Sequence, residues 1–477
     1  MPRRTKIIAT VGPASETPEV LAAMIEAGVD VFRIGLAHGT LAAAIERYRM
    51  IRSVADAASR PIGILADLPG PKVRLAPFAD GGVTLVPGAR IALRPGEVSS
   101  SATSLGVDYA DLLNDLSAGD SLALGDGTVQ LRILTNDRDS AIAEIVSGGK
   151  VQGRPGLHVP SHRLGISTPT AEDFYNLDAF VEEGIDMIAL SFVRSAHDIR
   201  RVGTEPHPRG PLIIAKIETR AAVDNLEGIV DAAGAVMIAR GDLGIEMGIE
   251  ELPHLQKRII RHCVAVGRPA ITATQMLESM INASTPTRAE VSDVANAIFD
   301  GSSAVMLSAE TAIGVDPVNA VATMARISDR ADAEFDYDGW ARSLRRNRDE
   351  TIGEDDRITD AMTGAAWRAA TEMGASAILC ISESGFTVRS IARFRPEMPI
   401  YGFSSNERTV RQLTLSWGTS PLPVDHSGDS TDLMNQLVVA AREQGLIRSG
   451  DTVAVLAGTG SGSRAHATDT MRLVLVP

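Results

Sequence analysis

The amino-acid sequence predicts an α/β protein: a (β/α)8 TIM barrel, a small inserted β-barrel unit acting as a lid, and an α/β unit at the carboxyl end. Three observations carry this. Eight short runs rich in Val, Ile, Leu and Ala recur along the chain, segments with helical spacing lie between them, and the runs end on polar residues. Continuous apolar runs suit parallel strands covered on both faces, and eight strand–helix units close most economically as a barrel.

Residues 6–11, 31–34, 62–67 and 187–192 form the first four runs. The fifth, Leu212-Ile213-Ile214-Ala215, delivers Lys216-Ile217-Glu218, and the sixth, Val236-Met237-Ile238-Ala239, delivers Arg240-Gly241-Asp242-Leu243-Gly244. Residues 269–274 and 304–308 complete the set, and helical spacing runs through residues 17–26 and 288–299. Side chains alternate across a strand, so Lys216 and Glu218 leave the same face together, one ammonium beside one metal-binding carboxylate. That pairing suits the handling of a phosphoryl group. Chemistry in such barrels gathers at the carboxyl ends of the strands. Those ends hold Arg33, Asp67, Arg194, Lys216, Glu218, Asp242, Thr274, Ser308 and Glu310.

A barrel uses about 250 residues, and the chain has 477. Residues 1–74 and 161–335 are assigned to the barrel. Between them, residues 75–160 read as short strands split by turn signals such as Asp80-Gly81-Gly82, Arg94-Pro95-Gly96 and Gly125-Asp126-Gly127. An insertion after the third strand lies over the barrel mouth, where it can exclude water as a lid. Residues 336–357, rich in Arg, Asp and Glu, read as a solvated linker or an exposed helix. From residue 358 to residue 477 helix-like and strand-like runs alternate again, which makes a third, α/β unit.

A net charge of −14 argues against nucleic acid or an anionic membrane as the main partner. Cys263 and Cys380 are the only cysteines, which excludes a disulfide framework or a four-cysteine zinc site. No apolar stretch approaches the roughly 20 residues of a membrane span. The start, Met1-Pro2-Arg3-Arg4-Thr5-Lys6, leads into a strand without a signal-peptide core. The expectation is a soluble, cytoplasmic enzyme.

Five blocks then point to a family: Thr10-Val11-Gly12-Pro13-Ala14-Ser15, Ile214-Ala215-Lys216-Ile217-Glu218, Arg240-Gly241-Asp242-Leu243-Gly244, residues 273–280 and residues 286–296. Together they resemble pyruvate kinase, over essentially the whole chain. The resemblance implies phosphoryl transfer from phosphoenolpyruvate to ADP, giving pyruvate and ATP, with Mg²⁺ or Mn²⁺ as cofactor. It implies that Lys216 stabilises the moving phosphoryl group and that Glu218 and Asp242 hold the divalent metal, an arrangement the charge of the transferred group demands. Gly241 and Asp242 would offer backbone N–H groups to the substrate carboxylate. Thr274 would stand near the enolate carbon, with Ser308 and Glu310 as a proton relay behind it. Arg33 would bind phosphate, and Pro13, Arg33 and His38 would border the nucleotide.

The chain departs from the family after the second strand, where Arg-x-Asn-x-Ser-His-Gly becomes Arg33-Ile34-Gly35-Leu36-Ala37-His38-Gly39. Two oxygens of the family's monovalent-cation cage are missing, leaving Asp67 and the carbonyl of Leu68, and hard cations need several oxygens to replace their water. Lys72 stands where potassium-independent relatives carry a lysine, so a fixed ammonium could replace the ion. Activity without K⁺ is expected. The family's Lys-Gly-Val-Asn segment is here Pro155-Gly156-Leu157-His158, which removes a nucleotide-phosphate lysine; Arg154 is a candidate substitute.

In the third unit, Ser382, Ser384, Gly385 and Thr387 resemble a loop that grips a phosphorylated effector, hydroxyls and N–H groups around a glycine forming an anion cradle. Trp417-Gly418 and Gly458-Thr459-Gly460-Ser461-Gly462 fit the same unit. The resemblance also implies a homo-oligomer, a tetramer. Two other readings compete: a weakened paralogue that binds phosphoenolpyruvate or pyruvate for regulation, and a Mg²⁺-dependent lyase acting through pyruvate enolate. Lys216 discriminates against the lyase, which gains little from an ammonium at the phosphoryl position.

Overall fold

All eight apolar runs become strands of one closed parallel barrel: β1 (Lys6–Thr10), β2 (Val31–Gly35), β3 (Gly63–Leu68), β4 (Met187–Leu190), β5 (Leu212–Ile217), β6 (Ala235–Ala239), β7 (Ala270–Ala273) and β8 (Ala304–Leu307). Neighbours pair in sequence order, and β1 closes against β8 with Lys6 opposite Ala304. The computed structural model describes residues 3–58, 60–125, 127–137, 139–346, 357–425, 430–458 and 468–477.

Inward-facing side chains fill the barrel, among them Ile8, Val31, Leu65, Met187, Ile214, Met237, Ile271 and Met306. Leu415, from the third unit, belongs to this inner cluster and plugs the amino end. The approach is so close that a Cβ on Gly63 would lie 2.6 Å from Thr414 Oγ1 and 3.0 Å from the Arg411 carbonyl, so only glycine fits there. Several helices around the barrel begin on side-chain caps. Thr17 caps Pro18–Ala27, and Thr287 with Glu290 forms a capping box on Arg288–Phe299.

After β3 the chain builds a six-stranded mixed sheet, a half-barrel, in the order Leu157–His158, Ser121–Leu124, Val129–Asn136, Ala141–Ser147, Arg90–Pro95, Ser104–Val107. A ribbon of Val83–Leu85 and Gly149–Val151 accompanies it, and its core, with Leu105, Leu131 and Ile133, is separate from that of the barrel. An isolated bridge between Arg74 and Gly156 joins the outgoing and returning chains.

The third unit is a five-stranded sheet, parallel except for Thr470–Leu475, which runs antiparallel to Thr452–Ala457. Ahead of it, Tyr337–Arg346 is a helix. It is not merely solvated: Ala341 is buried, and Trp340 packs on Phe335 and donates Nε1 to the Arg393 carbonyl at 2.9 Å. Its apolar residues are few but lie on one face, so charge-rich composition concealed an amphipathic helix. Among the described residues no helix is long and apolar enough to cross a membrane.

Candidate active site

Lys216 is the last inward residue of β5, and its ammonium meets Glu218 Oε1 at 2.9 Å, Asp67 Oδ1 at 3.3 Å and the Ser191 hydroxyl at 2.7 Å. The side chains of Asp67 and Glu218 are 3% and 1% exposed, that of Lys216 12%. Burial alone would lower the Lys216 pKa, but Asp67 and Glu218 outweigh it and raise it, so the lysine stays charged. Asp67 is the counterpart: burial pushes its carboxyl up, yet Lys216 and Arg33 hold it below the ordinary range.

Glu218 behaves differently. Burial raises its pKa, Lys216 opposes, and Asp242 raises it further. Its Oε2 accepts the Phe192 N–H at 2.7 Å, while Oε1 is buried without a hydrogen bond despite the nearby ammonium. Two carboxylates that repel each other at a buried site fit a divalent cation. Among the described residues no group of three or more His, Cys, Asp and Glu side chains is placed to hold a metal. Glu218 and Asp242 would therefore share the ion with substrate oxygens, the pattern Mg²⁺ favours.

The sixth strand delivers a helix start. Arg240–Met247 begins immediately after β6, which places the N–H groups of Gly241 and Asp242 in its first turn, where anions are favoured. The Gly241 N–H donates to Thr274 Oγ1 at 2.9 Å, and that hydroxyl donates to the Ala273 carbonyl at 2.6 Å. Thr274 and Gln275 have φ of 67° and 53°, and Phe192 has 55°, left-handed values that non-glycine residues adopt only under constraint. The constraint is visible. Arg240 donates to the Thr274 carbonyl at 2.7 Å and is itself fixed by Asp293 at 2.7 Å.

On the opposite rim, Arg33 donates to Asp67 Oδ2 at 2.7 Å and to Thr10 Oγ1 at 3.0 Å. Beyond it, His38 is exposed, and its pKa is lowered by partial burial and by Arg74, Lys72 and Arg33. Pro13 is exposed on the loop after β1. Lys72 is exposed, and the cations that meet Asp67 are Arg33 and Lys216. Arg154 is engaged by Asp108 at 3.2 Å.

Glu310 is buried with both oxygens occupied, Oε1 by the Leu277 N–H at 3.1 Å and Oε2 by the Ser308 N–H at 2.7 Å. That geometry braces the ends of β7 and β8. In the third unit Gly385 takes φ of 75° before the helix Phe386–Ala392, Ser382 and Ser384 are half-buried, and Thr387 turns its hydroxyl onto Thr468 at 2.5 Å. Residues 459–462 of the glycine-rich turn lie outside the described residues.

Sequence reasoning did not single out Ser191, Phe192 or Asp293, whose roles arise only where separate elements meet. It also missed a link between inserted sheet and barrel: His158 meets Glu246 at 3.0 Å, and Ser161 donates to the same carboxylate. Burial would raise the Glu246 pKa, but the bonds from His158 and Ser161 lower it to about 2. A cleft of about 660 Å³ lies beside this link, lined from the sheet by Ser121 and Arg132 and from the barrel by Arg240 and Gly241.

A closed parallel barrel with an ammonium, a paired carboxylate site and a helix start at its carboxyl rim defines a phosphoryl-handling barrel protein. The family model of the pyruvate kinase barrel domain matches residues 2–321, and that of the pyruvate kinase alpha/beta domain matches residues 360–474. The chain belongs to the pyruvate kinase family. A pyruvate kinase of Thermococcus litoralis is 38% identical over 476 residues, covering 99% of each chain. One of Clostridium acetobutylicum is 36% identical over 460 residues, covering 96% of each, and one of Methylorubrum extorquens is 36% identical over 474 residues, covering 99% of this chain and 98% of its own.

Proposed function

We propose that this protein transfers the phosphoryl group of phosphoenolpyruvate to ADP and protonates the resulting enolate to pyruvate. The observation that carries the reading is the Lys216 ammonium, held charged by Asp67 and Glu218 and hydrogen-bonded to Ser191 at the barrel rim. There it supplies positive charge to the equatorial oxygens as the phosphoryl group leaves the enol oxygen for the nucleotide's terminal oxygen. A divalent ion on Glu218 and Asp242, when bound, neutralises substrate oxygens. The N–H groups of Asp242 and of Gly241, the latter released from Thr274 Oγ1, are assigned to the substrate carboxylate, and Thr274, held in its strained conformation by Arg240, is assigned the proton transfer to the enolate carbon. Glu310 fits a positioning role better than a relay role, because backbone N–H groups occupy both its oxygens.

The reading extends to K⁺ independence. Asp67 is paired with Arg33 and Lys216, and the Leu68 carbonyl accepts from Ser191 at 2.7 Å. Protein donors thus occupy the oxygens a monovalent ion would need. The cations around His38 support a nucleotide-phosphate site there, and the inserted sheet, hinged at the Arg74–Gly156 bridge, serves as its lid. The Ser382–Thr387 loop is assigned to a phosphorylated effector, and the working form is taken as a cytoplasmic homotetramer.

The test is a lactate-dehydrogenase-coupled assay with phosphoenolpyruvate, Mg²⁺ and ADP on wild type and Lys216→Met. Turnover in the wild type that falls at least about 10³-fold in the variant, with phosphoenolpyruvate still bound, is expected. Binding without turnover in the wild type would favour the regulatory reading.

A further inference from the structure

A second, much smaller cavity of about 20 Å³ lies between the amino ends of β7 and β8 and the third unit. Arg268, Arg389, Arg393, Arg395, Ser416 and Trp417 line it, and among the described residues no carboxylate does. The arginines are not equivalent. Arg395 donates to the Ile298 and Ser302 carbonyls and stacks on Phe335, Trp340 and Trp417. Arg393 pairs with Asp360, and Arg268 lies over the Phe386 ring.

Arg389 is different. It is 3% exposed, and its Nη2 donates to the Ser384 carbonyl at 2.9 Å and to the His207 ring at 3.0 Å. Its Nε and Nη1 have no partner, and neither do the buried Trp417 Nε1 and Ser416 Oγ. Burial, with the Arg268 charge beside it, lowers the Arg389 pKa to about 9, and His207 is held neutral with a pKa of about 3 by burial and the same two arginines. An unneutralised guanidinium in such surroundings is unfavourable.

We propose that this cavity is a binding site for a monatomic anion, chloride in practice, held by Arg389, Trp417 Nε1 and Ser416 Oγ. At about 20 Å³ the space suits a single small particle. Arg389 and Trp417 Nε1 can only donate, and a halide accepts from both and from the Ser416 hydroxyl, whereas a water must also place two protons of its own, for which Ser416 is the one acceptor of the three. The ion would tie the helix Phe386–Ala392, which follows the Ser382–Thr387 loop, to the barrel's amino end.

Thermal unfolding of the full-length wild type in NaCl and in sodium gluconate of equal ionic strength reads the site, and bromide anomalous scattering from crystals locates it. A chloride-specific rise in Tm is expected, together with a bromide peak among Arg389, Ser416 and Trp417. Trp417→Phe removes one charged hydrogen bond and should raise the chloride midpoint on the order of tenfold; Arg389→Met should abolish the response. Should Arg389→Met not fold, the wild-type titration, the bromide peak and Trp417→Phe still decide. Superposable melting curves in the two salts, a water in place of bromide, or a chloride response unchanged in both variants would overturn the assignment.

Discussion

Arg33 Nε donates to Asp67 Oδ2 at 2.7 Å, so the carboxylate near the end of β3 is neutralised by a protein cation before any ion arrives. A Cβ at Gly35 would lie 3.7 Å from both terminal guanidinium nitrogens, so the arginine also rests against Gly35.

Turnover should accordingly be undiminished in potassium-free buffer. Replacing NaCl by KCl at constant ionic strength is expected to change kcat by less than about twofold, since the oxygens near Asp67 already have donors. A large stimulation by KCl, seen in the coupled assay, would count against it.

Thr274→Val deletes the hydroxyl that joins Gly241 to the end of β7 while keeping the β-branched shape. Loss of a positioned proton-transfer group costs about 10²–10⁴-fold. We expect kcat to fall within that range, and exchange of the pyruvate methyl protons with solvent, followed by NMR, to fall in parallel. Thr274→Ser should retain most of both.

His38 should link nucleotide binding to proton uptake. In the free protein, partial burial and Arg74, Lys72 and Arg33 disfavour its protonated form. A polyphosphate bound among these cations offsets them and raises the pKa, and a ligand that raises a pKa binds more tightly as pH falls through the bound-state value. The KM for ADP of the wild type, relative to His38→Gln, is therefore expected to decrease from about pH 8 to about pH 6. Parallel pH profiles for the two proteins would refute this.

Asp186 is fully buried between β3 and the third unit, bonded to Arg52, to Arg411 at 2.7 Å and to the Ile64 N–H at 2.9 Å. Asp186→Ala removes the buried partner of two guanidinium groups and one N–H, and removing one side of a buried pair costs about 3–5 kcal/mol. Chemical denaturation should show that drop, with a smaller one for Arg411→Met, which leaves Arg52 in place.

The strands of the barrel were legible because continuous apolar runs report burial on both faces, and β5 was legible in detail because period-two alternation alone puts Lys216 and Glu218 on one face. The helices at Pro18–Ala27 and Arg288–Phe299 were legible from helical spacing, and the structure adds the caps of Thr17 and Thr287. What the sequence by itself determined is therefore the set of elements, their order and the residue types at each strand end.

Only the tertiary structure decided which polar groups meet. Ser191 reaches Lys216 from 25 positions away, Arg240 reaches Asp293 from 53 away, and Phe192 gives its N–H to Glu218 from a left-handed conformation that no periodicity encodes. The same holds for Trp340, whose charged neighbours disguised a packed helix, and for Glu310, whose oxygens face backbone rather than a proton path. The physical reason is that burial is a property of each residue's own pattern, whereas a hydrogen bond is a property of two residues, and closing the barrel fixes the second.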